Sequence, residues 1–256
     1  VLTLQEQEER GIQSHMTVSK HLVFYGNPGT GKTTVARIIG QIYYHLGILP
    51  ENKLVECGVS DLVAEYVGGT SVKTKAVIDK AIGGVLFIDE AYGLASDKSQ
   101  FNDQAVDEII KGMEDHRDDL MVIMAGYKDS MEHFFKNTNE GLIGRFPEQN
   151  RITFEDYTLE EMVEIFKNYV KNAGLLLEEN TDHILLQLLE EKSRVDGFDN
   201  ARGVRNVFDY VSTDIRNQRL EKLENKTHDD YRLITKEDLE KALGSKEELE
   251  KKKSQW

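Results

Sequence analysis

Gly26, Asn27, Pro28, Gly29, Thr30, Gly31, Lys32 and Thr33 follow the spacing GxxxxGK[ST]. Such a loop carries chemistry where it follows a strand and opens a helix. The apolar run His21–Tyr25 precedes it, and Val35, Ile38, Ile39 and Ile42 fall at helical spacing after it. The glycines let the backbone turn and bring N–H groups to a phosphate at a helix N-terminus. Lys32 then reaches the β- and γ-phosphates and the Thr33 hydroxyl ligates Mg²⁺. Thr34, next in the same turn, completes the set expected to bind ATP. A glycine-rich turn that binds nothing has little use for the Lys-Thr pair.

A second constellation is Asp89-Glu90, directly after the apolar run Val85–Ile88. In open α/β sheets, ligands sit beyond the carboxyl ends of the strands. Asp89 suits a Mg²⁺ shell made of one or two carboxylates, waters and phosphates. Glu90 can act as general base toward an attacking water. The alternative, that one of these carboxylates only caps the next helix, is weakened by the phosphate loop upstream. The pair points to hydrolysis of ATP by water rather than to a phosphate-transferring kinase.

These residues need a sheet to hold them. Between about Lys20 and Phe154, apolar runs alternate with helical patterns. The runs are His21–Tyr25, Lys53–Cys57, Gly84–Ile88, Leu120–Ala125 and Arg151–Phe154. Near-continuous apolar runs are strands covered on both faces, which predicts a doubly wound parallel sheet. After Asp156 the strand signals stop. Thr158 with Glu161 forms a capping box, and Met162, Ile165, Phe166, Tyr169 and Val170 follow at helical spacing up to Gly174. Further helices are expected around Ile184–Leu189, around Val204–Ile215 and from Thr235. The expected domains are an α/β nucleotide-binding domain over residues 1–155 and a small all-helical lid over 156–256, with a polar tail from Ser245.

The 256 residues suffice for a substantial core, and no apolar run approaches a membrane span. Val1–Gly11 is polar and acidic, unlike a secretory signal, and the missing Met suggests a piece of a longer chain. The lone Cys57 reads as a core thiol and, with no signal, fits a cytoplasmic compartment. A net charge of −14 disfavours a protein whose main task is to grip nucleic acid. The short basic clusters, Lys73/Lys75 and Lys251–Lys253, read as solvated faces.

Taken together, GNPGTGKTTVAR (26–37), EYVG (65–68), GGVLFIDEAY (83–92), AGYKDSM (125–131) and NARGVRN (200–206) resemble the AAA+ family that includes CbbX, the red-type Rubisco activase, and the stage V sporulation protein K. The resemblance implies a five-stranded α/β core with a helical lid, assembled as a homo-hexameric ring with ATP between subunits. It implies that Arg145 is an arginine finger acting on the neighbour's ATP, with Arg151 a second candidate. It implies that Arg202 senses the γ-phosphate from the lid, although Arg205 could exchange roles with it. Tyr66, Val67 and Gly68 resemble a pore loop that grips a polypeptide; a buried tyrosine beside a turn is the alternative. The polar residue usual at the end of the fourth strand is replaced by Ala125-Gly126-Tyr127. Its role could fall to Tyr127, Asp129 or Asn139. The function implied is a protein-remodelling ATPase. A nucleotide-dependent scaffold is the alternative, and a nucleic-acid machine is less favoured for want of a basic, aromatic-interleaved stripe.

Overall fold

The computed structural model describes residues 19–66, 68–95, 100–223, 227 and 230–244. The chain divides into two compact units, Val1–Tyr25 with Lys32–Thr153, and Gly26–Gly31 with Phe154–Trp256.

The first unit is built on five strands: β1 (Leu22–Gly26), β2 (Leu54–Cys57), β3 (Val85–Ile88), β4 (Met121–Gly126) and β5 (Arg151–Phe154). Their order in the parallel sheet is β2-β3-β4-β1-β5. Every residue of β3 and β4 is buried, as expected of central strands covered on both sides. The helices between them are α1 (Lys32–His45), α2 (Val59–Leu62), α3 (Gly69–Ala81), α4 (Gln100–Asp115), α5 (Lys128–Asn137) and α6 (Glu140–Arg145). Leu86, Ile88, Ile109, Met113, Val122, Phe134 and Phe146 form the centre of one apolar core. Cys57 lies in this core, where burial pushes its thiol up to about 12, so it is a packing residue. His21 is also buried. Its Nδ1 accepts from the Val122 N–H at 3.0 Å, and burial, with Lys20 and Arg145 nearby, pushes its pKa down to about 3.

In the second unit, α7 (Leu159–Asn172) begins at the expected capping box. Thr158 Oγ1 accepts from Glu161 N at 3.2 Å, and Glu161 Oε2 accepts from Thr158 N at 2.8 Å. The remaining helices are α8 (Asp182–Ser193), α9 (Asn200–Asp209), α10 (Arg216–Lys222) and α11 (Lys236–Gly244). Phe166, Leu185, Leu188, Leu189, Val204, Val211, Ile234 and Leu239 make its core. Asp238, 1% exposed, caps α11 through Thr235 and accepts from Arg219 Nε at 3.1 Å through both oxygens.

Two features depart from the expectation of helices alone. The strands β6 (Leu176–Leu177) and β7 (Leu233–Ile234) pair in parallel. Two residues are too short to display an alternation in sequence. Between α9 and α10 the helix widens into a π turn, Tyr210–Ile215, which allows Tyr210, Val211 and Ser212 all to be buried. Among the described residues, no helix is long and apolar enough to cross a membrane.

Candidate nucleotide site

In the first unit, the carboxyl edge of the sheet is set by register. Ile88 pairs with Met124, and Tyr25 pairs with Gly126. Asp89 therefore leaves the sheet two strands from the end of β1, roughly 10 Å away at ordinary strand spacing. Lys32, Thr33 and Thr34 form the first turn of α1, where backbone N–H groups lack helical partners. Asp89 N donates to Cys57 O at 2.9 Å, and Asp89 Oδ1 accepts from Glu90 N at 3.0 Å. Glu90 takes φ 51 and ψ 38, a left-handed conformation that costs a non-glycine residue on the order of 1–2 kcal/mol. The following turn holds it: Gly93 N donates to Glu90 O at 2.9 Å, and the buried Asn102 amide donates to Gly93 O and Ala95 O.

The loop Gly26–Gly31 groups with the second unit, and its contacts there are specific. Asn27 Nδ2 donates to both Asp156 oxygens, at 2.9 and 3.0 Å. Asn200, 6% exposed, donates to Asp156 Oδ1 at 2.8 Å and to Pro28 O at 3.3 Å, while its Oδ1 accepts from Tyr157 N at 3.0 Å. The Tyr157 hydroxyl donates to Thr30 O at 3.1 Å, and Ala201 N donates to Gly29 O at 3.2 Å. Gly29 has φ +74, and a Cβ there would lie 2.1 Å from Asp199 O, so only glycine fits. Asp156, Tyr157 and Asn200 were absent from the sequence-derived site. Their partners in the loop lie 127 to 172 residues away, so no local spacing reports these contacts.

Four arginines are named as candidates by the sequence. Arg145, at the end of α6, pairs with Glu114 on α4 at 2.8 Å and donates to Gly141 O at 2.9 Å. Arg151 stacks its guanidinium 5.0 Å from the Phe135 ring centroid and donates to Phe146 O. In the second unit, Arg205 is engaged by Asp209 at 3.3 Å and by the Tyr169 ring. Arg202 is 68% exposed, with Asp199 at 3.8 Å. Of that pair, Arg202 has the greater freedom to meet a ligand.

Tyr66 is 71% exposed, at odds with the alternative that it is a core residue. The loop ahead of it is braced from α3: Thr70 Oγ1 accepts from Ala64 N, Thr74 Oγ1 donates to Leu62 O, and Lys73 Nζ donates to Val63 O. Gly68 caps α3 with φ 81, and Val67 lies outside the described residues. Of the three substitutes for a polar β4 residue, Asn139 is taken up as the cap of α6, where its Oδ1 accepts from Gly141 N at 2.8 Å. Asp129 sits exposed in the first turn of α5, and Tyr127 precedes that helix with its ring 5.9 Å from Tyr92.

Among the described residues, no group of three His, Cys, Asp or Glu side chains could hold a metal. Thr33 and Asp89 offer hard oxygen donors, fitting Mg²⁺ only if phosphate oxygens and waters complete the shell. The site therefore fits a magnesium–nucleotide complex better than a free ion.

Residues 22–154 match the ATPase family associated with various cellular activities (AAA), and residues 158–249 match the AAA lid domain. The stage V sporulation protein K of Bacillus subtilis (strain 168) is 39% identical over 209 residues, covering 80% of this chain and 64% of that protein. The chloroplastic ribulose bisphosphate carboxylase/oxygenase activase of Cyanidioschyzon merolae is 41% identical over 191 residues, 74% of this chain and 64% of that protein. The CfxQ homolog of Galdieria sulphuraria is 39% identical over 221 residues, 86% and 69% respectively. This chain thus spans slightly less than two thirds of the first two relatives. The crystal structure of the FIGL-1 AAA domain in complex with ADP aligns with TM-score 0.61 at 19% identity over 99% of this chain and 82% of that one, a likeness of fold.

Proposed function

The chain belongs to the AAA family of ATPases, and from that premise we propose that it hydrolyses Mg·ATP as a subunit of a homo-hexameric ring that remodels a polypeptide client. The observation that carries the catalytic part is the Asp89-Glu90 turn. The backbone of Asp89 continues the strand pairing, and Glu90 is held in a left-handed conformation at the carboxyl edge of the sheet.

Lys32 would neutralise the β- and γ-phosphates, and Thr33 and Asp89 would hold the magnesium ion, which supplies charge stabilisation on the phosphoryl oxygens. Glu90 takes the proton of the attacking water as its oxygen adds to the γ-phosphorus; the bond to the bridging oxygen breaks, and ADP and phosphate leave. Arg145 completes the site of the neighbouring subunit once it leaves Glu114. Arg202 senses the γ-phosphate from the lid, and Tyr66 and Gly68 belong to the loop that grips the client.

Exposure of Tyr66 on a braced loop favours threading over an assembly switch that never grips a chain. Identities of 39% to a sporulation protein and 41% to a Rubisco activase name no client.

The test is mutational. Glu90→Gln should retain ATP affinity while turnover falls at least a hundredfold, and Lys32→Ala should lose affinity itself. Arg145→Ala subunits mixed with Glu90→Gln subunits should recover part of the activity that neither has alone. Wild-type turnover by Glu90→Gln would remove the base. A mixture no more active than its components would remove the finger in trans.

A further inference from the structure

We propose that Tyr92 is a positioning residue for Glu90, its phenol steering the carboxylate toward the attacking water. The proposal rests on Glu90 being the base. β4 ends in Ala125 and Gly126, which offer no polar side chain at the edge where a water must be held. Of the nearby polar residues, Asn139 is committed to a helix cap and Asp129 is exposed on α5. The space that a residue 126 side chain would fill is occupied by Tyr92 and Met131. A Cβ on Gly126 would lie 2.7 Å from Tyr92 Cδ1, so the ring lies directly against the end of β4. A second neighbour is the ring of Tyr127, 5.9 Å away and tilted by 42°. Gly126 and Tyr127 thus form a slot that fixes the Tyr92 ring, and the ring sits two residues beyond Glu90 in the same tight turn.

The chemistry of the phenol agrees. Burial, then the Glu90 and Tyr127 charges and a hydrogen bond with Glu90, push its pKa up to about 12. It stays protonated and can donate to the carboxylate. Glu90 itself is exposed, so its side chain has rotamers to lose, and a fixed donor selects among them. A carboxylate displaced by about 1 Å from its productive position costs orders of magnitude in rate.

Tyr92→Phe keeps the ring in its slot and removes only the hydroxyl. Its kcat should fall about tenfold, with KM for ATP and the melting temperature unchanged. In a Glu90→Gln background the same change should have no further effect on the residual rate, because there is no base left to steer. Gly126→Ala, which crowds the Tyr92 ring and Met131 while leaving the hydroxyl, should lower kcat as Tyr92→Phe does. A Tyr92→Phe protein with wild-type kcat, alongside a Glu90→Gln protein that is inactive, overturns the positioning role and leaves the base intact. A full tenfold loss persisting in the Glu90→Gln background also overturns it. Normal turnover by Glu90→Gln alone overturns the underlying assignment and the proposal with it.

Discussion

Replacing Asp156 with alanine tests whether the hydrogen bonds around the phosphate loop contribute measurably. The carboxylate accepts three contacts: two from Asn27 Nδ2, at 2.9 and 3.0 Å, and one from Asn200 Nδ2 at 2.8 Å. Asn200 is buried, so after the change its amide keeps only the longer contact to Pro28 O at 3.3 Å. A buried donor left without a good partner costs about 1–3 kcal/mol. Asp156 is exposed, which places the Asn200 term toward 1–2 kcal/mol and the Asn27 term below about 1. The sum is roughly 1–3 kcal/mol. For a chain of this size that lowers the melting temperature by about 2–12 °C. Part of the loss should reach the ligand, since the Pro28, Gly29 and Thr30 carbonyls are held by the same network; about 1 kcal/mol there weakens ATP binding roughly fivefold. Asp156→Asn keeps one acceptor and should lose about half as much. Thermal unfolding and nucleotide titration read both quantities. An Asp156→Ala protein matching wild type in both would refute the reasoning.

Acid stability and client handling give two further checks. His21 titrates near 3 when folded and near 6.5 when unfolded, so between those values the unfolded chain binds the extra proton. Its stabilising effect is complete above pH 6.5 and is lost on acidification by up to about 1.4 kcal/mol per pH unit; His21→Asn, which retains an acceptor for Val122, should flatten the slope in urea melts at pH 7, 6 and 5, and an unchanged slope would assign acid sensitivity elsewhere. Tyr66→Ala should leave the melting temperature within about 1 °C, because an exposed ring makes little cavity when removed, yet abolish client-stimulated turnover. A fall of several degrees would instead identify a structural ring.

The parts legible in the sequence are those written locally. The central strands β3 and β4 appear as short, wholly apolar runs because both of their faces are covered, whereas the edge strand β5 leaves Ile152 and Thr153 exposed. Thr158 with Glu161 announces α7 because capping joins residues three apart. The phosphate loop and the Asp89-Glu90 turn are contiguous, so their chemistry can be read from spacing. Asp156 and Asn200 could not be found that way, since neither lies in a periodic pattern and their partners are distant in sequence. The π turn at Tyr210–Ile215 hides within apolar spacing that an α-helix also satisfies. Tyr92 was in plain view within a recognised motif, but the reason for its neighbour Gly126 is visible only in three dimensions.

The attachment of Gly26–Gly31 to residues beyond Phe154 bears on how such a gene can be recombined. A crossover placed between α1 and β5 would join the phosphate loop of one parent to the Asp156, Tyr157 and Asn200 of another. Every nucleotide motif would remain intact, yet the chimera would be sound only if the donor supplied an acceptor for Asn27, a donor for Pro28 O and room for Gly29 beside Asp199. Successful exchanges should therefore inherit residues 26–31 and 154–201 from the same parent, although more than a hundred codons separate them.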